Sequence, residues 1–357
     1  VDEFWSTASP AQLDDLRARI AATRWPDVPE DAGWSLGVDV DALRDLCAYW
    51  ADGFDWPAQE AALNALPRFR RDGIHFVHAR SAHGGLPIVL GHGWPDSFWR
   101  YSAVVPLLIE PEDPADAFDV VVPDMPGFGY SDRSPVDAVA VAGRYAELMT
   151  ALGYERFGAA GGDIGSHVCR YLALDFPERV VAVHRTDAGV PRHVPDDLTP
   201  EEREWQRAFA AWAAAEGAYG AMHSTKPQTA AVGLTDSPAG LAAWMVEKLH
   251  GWGDDLLTRD QILTNVTIYW LTGTIGSSMR MYAANAAIPA AQHARRVEVP
   301  SGFSLFGGDV LPPPRAWLER TTNLVRVTEP ARGGHFAPIE QPEVYAQELR
   351  DFFRPYR

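Results

Sequence analysis

Gly161-Gly162-Asp163-Ile164-Gly165 places an acid at the centre of a small-x-nucleophile-x-small pattern. In a strand-turn-helix elbow the central side chain stands exposed on a strained backbone, and the flanking glycines let neighbouring chain pack close. Serine is the usual occupant; it attacks carbonyl carbon and leaves an ester that water opens. Serine attacking saturated carbon would leave an ether, which a histidine-activated water does not remove. A carboxylate attacking the same carbon leaves an ester that is hydrolysable at its own carbonyl. Asp163 therefore predicts displacement at an alkyl carbon, with epoxides or carbon–halogen bonds as targets.

An elbow needs a strand before it and a helix after it, and the surrounding sequence supplies that alternation repeatedly. Residues 87–90, 118–122, 156–160, 180–184, 303–306 and 324–327 are short apolar runs separated by helical segments. They predict an α/β fold with a mostly parallel central sheet covered on both sides. A helix over 342–353, with Val344, Leu349 and Phe352 inward, closes the chain. Between about residues 191 and 288 the strand rhythm stops. Ala-, Trp- and Tyr-rich helices such as 201–217 and 239–249 predict a helical cap inserted over the active face.

Upstream, Ser9-Pro10-Ala11-Gln12 has the form of a capping box with proline at the first helical position. Leu13, Leu16, Ile20 and Ala21 follow at helical spacing, with Asp14, Arg17 and Arg19 outward. A second helix over 41–53 carries Leu43, Leu46, Cys47 and Trp50 on one face, and residues 67–78 read as chain entering the sheet. The expected division is an N-terminal segment over 1–80, core over 81–190, cap over 191–288 and core again over 289–357.

The 357 residues, 46% hydrophobic and 22% charged, suffice for one large domain with additions. A net charge of −17 without a basic stripe argues against nucleic acid and anionic membrane surfaces as partners. No apolar run approaches the roughly 18–20 residues of a membrane span. No charged-then-apolar leader opens the chain at Val1. A soluble, cytoplasmic protein is expected. Cys47 and Cys169 have neither metal nor redox spacing, and Cys169, in the helix after the elbow, reads as a buried thiol. No His, Cys or Asp cluster has ligand spacing, so neither a metal nor a cofactor is expected. Trp94, Trp99, Trp244 and Trp252 suit an aromatic cleft as well as ordinary packing.

After the run 87–90 comes Gly91-His92-Gly93-Trp94-Pro95. In α/β-hydrolase architecture an oxyanion hole takes one backbone N–H from this loop and one from the residue after the nucleophile. Those donors are Trp94 and Ile164, and His92, Trp94, Pro95 and Ile164 are expected to meet the substrate. Alone, the loop has a second reading as a tight turn, and its place ahead of the elbow strengthens the first. Gly333-Gly334-His335-Phe336-Ala337 follows the last strand and presents a histidine where the order nucleophile, acid, base requires it. Without that order, His335 would read as a loop histidine bonded to backbone. Asp309, directly after a strand in Phe306-Gly307-Gly308-Asp309, is the favoured orienting acid; Asp187, after 180–184, is its rival.

Together, Gly91-His92-Gly93-Trp94-Pro95, Gly161-Gly162-Asp163-Ile164-Gly165-Ser166 and Gly333-Gly334-His335-Phe336 resemble the epoxide hydrolases of the microsomal type. The first 80 residues are similar to the segment that precedes the catalytic domain in that family, so the resemblance covers nearly the whole chain. Tyr219-Gly220-Ala221-Met222-His223 and Ser277-Ser278-Met279-Arg280-Met281-Tyr282 resemble the cap segments bearing the two epoxide-binding tyrosines. The resemblance thus implies Tyr219 and Tyr282, not Tyr269, as the acids. Two phenols suit ring opening, because they donate to the oxygen that becomes an alkoxide and stay protonated at neutral pH.

The implied activity is hydrolysis of a small-molecule epoxide to a vicinal diol through an aspartyl ester, in detoxification or secondary metabolism. Its implied machinery is Asp163, His335, Asp309, Tyr219 and Tyr282. The family often carries tryptophan directly after the nucleophile, where this chain has Ile164. The backbone N–H is retained and only the apolar wall changes. Haloalkane dehalogenases share the aspartate elbow but commonly hold the leaving halide with a tryptophan N–H there. Isoleucine offers no such donor, which weighs against dehalogenation. A non-catalytic, ligand-binding relative would usually have lost part of the constellation, and every position is filled here. A homodimer is compatible with all of these readings.

Overall fold

The computed structural model describes residues 1–189, 191–254 and 256–357. Among these residues one nine-stranded sheet forms from β1 (Asp2–Glu3), β2 (Arg68–Arg71), β3 (Ile74–Ala79), β4 (Leu86–Gly91), β5 (Phe118–Pro123), β6 (Phe157–Gly161), β7 (Val180–Arg185), β8 (Val297–Ser304) and β9 (Thr322–Thr328). Their spatial order is β1-β2-β3-β5-β4-β6-β7-β8-β9. From β5 to β9 every pairing is parallel. Strands β1 to β3 add an antiparallel edge through the β3–β5 pairing. Val120, Val121 and Val122 are all fully buried, as a strand covered on both faces requires.

The architecture is the α/β-hydrolase fold, with the expected strands at 87–90, 118–122, 180–184 and 324–327 inside β4, β5, β7 and β9. The run 156–160 is offset by one residue from β6. The run 303–306 is only the end of β8, which starts at Val297 and leaves the sheet after Ser304. Pro300 and Gly302 read as breakers, yet β8 accommodates them. Its register against β9 shifts between Val297 and Pro300 and again between Ser301 and Gly302. At Gly302 a Cβ would lie 2.4 Å from the Phe352 ring, so the glycine marks close packing rather than a turn.

Helix Pro10–Ala21 starts in the expected capping box at Ser9 and buries Leu16 and Ile20, while Ala21 faces solvent. Helix Val40–Asp52 buries Leu43, Leu46, Cys47 and Trp50. The N-terminal segment touches both layers of the molecule. Its strands extend the sheet, and the Trp50 Nε1–H donates to Thr267 Oγ1 at 2.9 Å in the cap. Between β7 and β8 lie six longer helices, Pro200–Glu216, Ala218–Thr225, Pro227–Asp236, Pro238–Gly251, Arg259–Thr272 and Ile275–Ala286. Three of these begin at proline, whose missing N–H costs nothing in a first turn. In the closing helix Pro342–Phe353 the inward face is Tyr345, Leu349 and Phe352 at helical spacing, which leaves Val344 37% exposed. Cys169 is buried as expected. No helix among the described residues is long and apolar enough to cross a membrane.

Candidate active site

The loops that leave the C-terminal ends of β6, β7, β8 and β9 line one cavity, and the loop after β4 braces the Asp163 carboxylate beside it. Asp163 follows β6 with φ +55° and ψ −130°, and helix Ile164–Asp175 starts at the next residue. Such a conformation costs about 1–3 kcal/mol in a side-chain-bearing residue, so its surroundings must hold it. The Asp163 N–H donates to Asp187 Oδ2 at 2.7 Å, and the Ser166 N–H donates to the Asp163 carbonyl at 3.0 Å. Two glycines are there for lack of room. A Cβ on Gly165 would sit 2.1 Å from the Gly91 carbonyl oxygen, and one on Gly93 would sit 2.1 Å from Asp163 Oδ1. Gly93→Ala is therefore expected to displace the carboxylate and lower kcat by about a hundredfold, as a misplacement on the ångström scale does. Steady-state kinetics, with circular dichroism to verify folding, would check it.

The Asp163 carboxylate has two unlike oxygens. Oδ1 accepts the Trp94 N–H at 2.7 Å, and the Ile164 N–H also bonds the carboxylate. Oδ2 lies 3.4 Å from His335 Nε2. Burial pushes the carboxyl up, but the His335 imidazolium and the two N–H groups outweigh it and hold the group below its ordinary range. Asp163 is ionised at neutral pH.

His335 Nδ1 lies 2.7 Å from Asp309 Oδ1. The backbone of His335 is clamped on both sides: its N–H donates to the Trp252 carbonyl at 2.8 Å, and its carbonyl accepts Arg100 Nη2 at 2.6 Å. Arg100 is itself paired with Asp96 at 3.0 Å, and the Gly334 N–H donates to Glu340 Oε2 at 2.7 Å. Burial disfavours the charged ring, but Asp309 and Asp163 outweigh it and hold the His335 pKa up at about 10. The resting histidine is thus an imidazolium between two carboxylates. Of the two acids considered from sequence, Asp309 bonds the ring. Asp187 instead supports the elbow, its pKa pushed up to about 6 by desolvation and the neighbouring Asp309.

Tyr219 and Tyr282 project from helices Ala218–Thr225 and Ile275–Ala286 onto the same cavity, their ring centroids 6.1 Å apart and their phenols hydrogen-bonded. Burial first, then other buried charges including Asp163, push both phenols above their ordinary pKa, so each remains a proton donor. Trp94 stacks on Tyr219 at 5.5 Å, and Lys248 Nζ stands 4.8 Å over the Tyr219 ring. Tyr269 is buried elsewhere, its hydroxyl donating to the Asp96 carbonyl at 2.6 Å.

The shared cavity, about 150 Å³, is bounded at its reacting end by Asp163, Ile164, Tyr219, Trp252, Tyr282 and His335. His92 and Pro95 do not reach it. His92 is fully buried, with Nδ1 3.1 Å from the Gly93 carbonyl and Nε2 accepting the Met125 N–H at 3.1 Å; Pro95 offers its carbonyl to Asn265 Nδ2 at 2.6 Å. Both brace the loop that aims the Trp94 N–H, and the Trp94 ring acts through Tyr219. Of the four tryptophans expected at the cleft, only Trp252 lines it, joined by Trp205 and Trp212. Trp244 donates instead to His223 Nε2 at 3.0 Å, and Trp99 lies within the 3₁₀ turn Phe98–Tyr101. No group of three or more His, Cys, Asp or Glu among the described residues is arranged to hold a metal ion.

Residues 1–101 match the family model for the epoxide hydrolase N terminus, and residues 87–221 match that for the alpha/beta hydrolase fold. A Stigmatella aurantiaca protein assigned to the epoxide hydrolases is 40% identical over 100% of this chain and 86% of its own length. The chain belongs to the epoxide hydrolase family. Epoxide hydrolase 1 of Sus scrofa is 33% identical over 98% of this chain and 87% of its own. The structure of Aspergillus niger epoxide hydrolase superposes with a TM-score of 0.89 at 30% identity, covering 100% of this chain and 96% of that one. In this epoxide hydrolase the supporting residues Arg100, Asp187, Trp252 and Glu340 carry no motif of their own. Of these, Asp187 was marked beforehand by its position just past a strand end and Trp252 as a cleft tryptophan, while Arg100 and Glu340 were not marked.

Proposed function

We propose that this epoxide hydrolase opens its substrate through a covalent aspartyl ester. The observation that carries the reading is the division of labour in the Asp163 carboxylate: Oδ1 accepts the Trp94 N–H, the Ile164 N–H also bonds the group, and Oδ2 lies 3.4 Å from His335 Nε2. Oδ2 attacks an epoxide carbon from behind, the ring C–O bond breaks, and its electron pair goes to oxygen. Tyr219 and Tyr282 bond that oxygen, and one of them gives it a proton.

Charge then moves in a way the resting geometry favours. Ester formation removes the Asp163 charge, one of the two causes that hold His335 protonated, so the imidazolium pKa falls. The proton it loses is the one the tyrosinate must regain. His335, now neutral and oriented by Asp309, takes a proton from water as that water attacks the ester carbonyl. The tetrahedral oxyanion sits where Oδ1 sat, on the N–H groups of Trp94 and Ile164. Collapse releases the diol and restores the carboxylate–imidazolium pair. Alkylation should therefore be flat through the neutral range, because Asp163 stays ionised there. Ester hydrolysis should rise with pH through the lowered pKa of His335.

A single turnover of styrene oxide in ¹⁸O-water tests the route. Label is expected in the Asp163 carboxylate, located by peptide mass spectrometry, with an unlabelled first diol. Label in the diol alone would mean direct attack by water and would reject the ester.

A further inference from the structure

One stretch of the cavity wall contains no carboxylate. Asp163, His167 and Tyr171 follow one another at i, i+4 and i+8, so the cavity side of the elbow helix runs about 12 Å from the reacting carboxylate to Tyr171. Around Tyr171 the wall is completed by Arg192, Asn285 and His293. Arg192 and Asn285 present hydrogen-bond donors, while the His293 ring bonds the Ile288 backbone. Arg192 is exposed, and no carboxylate bears on it among the described residues. The Asn285 carbonyl oxygen is taken by the Ala138 N–H at 2.8 Å, which leaves its amide N–H groups for the cavity.

One buried hydroxyl on this wall, Tyr171 Oη, has no hydrogen-bond partner. Arg170 lies near enough to Tyr171 to act on it, but its Nη2 is committed to the carbonyls of Gln292, His293 and Arg295 at 3.3, 3.2 and 2.6 Å. Those bonds also fix the segment that carries His293. A buried hydroxyl left without a partner calls for an explanation, and a bound acceptor supplies one. The local field has the matching sign: after burial, the cations Arg185, Arg170 and Arg192 hold His167 down at about 3, and Arg192 and Arg170 also lower His293. In a chain of net charge −17, a positive wall inside the reacting cavity is not general surface character.

We propose that Tyr171, Arg192 and Asn285 form a carboxylate subsite, and that the substrate is an epoxide carrying a carboxylate. This rests on the epoxide opening at Asp163 described above. A free volume of about 150 Å³ accommodates one aromatic ring or an aliphatic stretch of similar size as the spacer between oxirane and carboxylate. The acids at the reacting end, Asp163, Asp187 and Asp309, repel the anion, so the molecule enters with its oxirane toward Asp163.

The test compares 4-(oxiran-2-yl)benzoate with its methyl ester. Wild type is expected to favour the acid by about tenfold or more in kcat/KM, mostly through KM, the scale of a charge-assisted hydrogen bond. Arg192→Ala should bring that ratio close to unity, Arg192→Lys should keep most of it, and Tyr171→Phe should reduce it. Equal kcat/KM for the two epoxides in wild type, or an equal loss for both in Arg192→Ala, would overturn the subsite. If neither epoxide is opened, the reaction at Asp163 is what fails. Calorimetry with the two product diols then decides the subsite by itself. Tighter binding of the acid diol that Arg192→Ala abolishes upholds it, and equal binding rejects it.

Discussion

His335→Gln is expected to react once and stop. The variant keeps Asp163, its two N–H donors and both phenols, so everything the first bond-making step uses is still in place. It lacks the base for the second. Steady-state turnover should fall by at least about 10³-fold, the scale of a lost general base. Intact-protein mass spectrometry after addition of a processed epoxide should show the protein heavier by one substrate. The substitution also removes the cation that holds the Asp163 carboxyl low. Alkylation by the variant should therefore weaken on mild acidification where wild type does not: the carboxyl pKa rises, and the ionised fraction falls as pH drops toward it. A variant that continues to turn over, with no adduct at any time, would remove His335 from the second step.

The double variant Tyr219→Phe/Tyr282→Phe should fail at the opposite stage. With neither phenol present, the developing alkoxide faces aromatic edges in a cavity lined by Trp252, and no donor compensates it. Loss of one donor to such an oxygen is worth on the order of 10² in rate. The two phenols are bonded to each other, so their effects should not multiply. Each single variant is expected near 10²-fold and the double variant at about 10³-fold or more in the alkylation rate, read by rapid quench and mass spectrometry. The hydrolysis of an ester already formed should be unchanged. Indifference to the loss of both hydroxyls would place the leaving oxygen elsewhere, or make the leaving group something other than an epoxide oxygen.

Asp163, the two oxyanion donors and His335 were legible because each sits in a short local pattern whose backbone geometry is itself the function. A glycine-flanked elbow, a Gly-His-Gly-Trp-Pro loop and a Gly-Gly-His turn can be read residue by residue. Tyr219 and Tyr282 had no such pattern and were reached only through resemblance, because their meaning depends on how two cap helices pack. His92 shows the reverse error. A histidine in a functional loop invites a substrate role, yet its two ring nitrogens meet the Gly93 carbonyl and the Met125 N–H, and it does not line the cavity. Arg100 and Glu340 were invisible for a related reason. Arg100 acts on the backbone of the Gly-Gly-His turn from a distant part of the chain, and Glu340 from the short helix that follows the turn. Neither sits in a pattern that announces a clamp. In β8, Pro300 and Gly302 obscured a strand whose neighbours tolerate both.

The N-terminal segment acts as a strap around the machinery it never touches. Both its ends are woven into the sheet edge, the start as β1 and the finish as β2 and β3. Between them, Trp50 is bonded to Thr267, Tyr49 to Asp260 at 2.7 Å and Arg19 to Asp236 at 2.8 Å, all on cap helices or at their ends. A cap tied down at several points from below does not behave as a free lid. Its opening and the loosening of the sheet edge belong to one cooperative unit, so amide protons of the cap and of β2 should share an opening free energy. Substrate and diol then exchange through the mouth of a cavity whose roof stays in place, and the two phenols keep their aim from one turnover to the next.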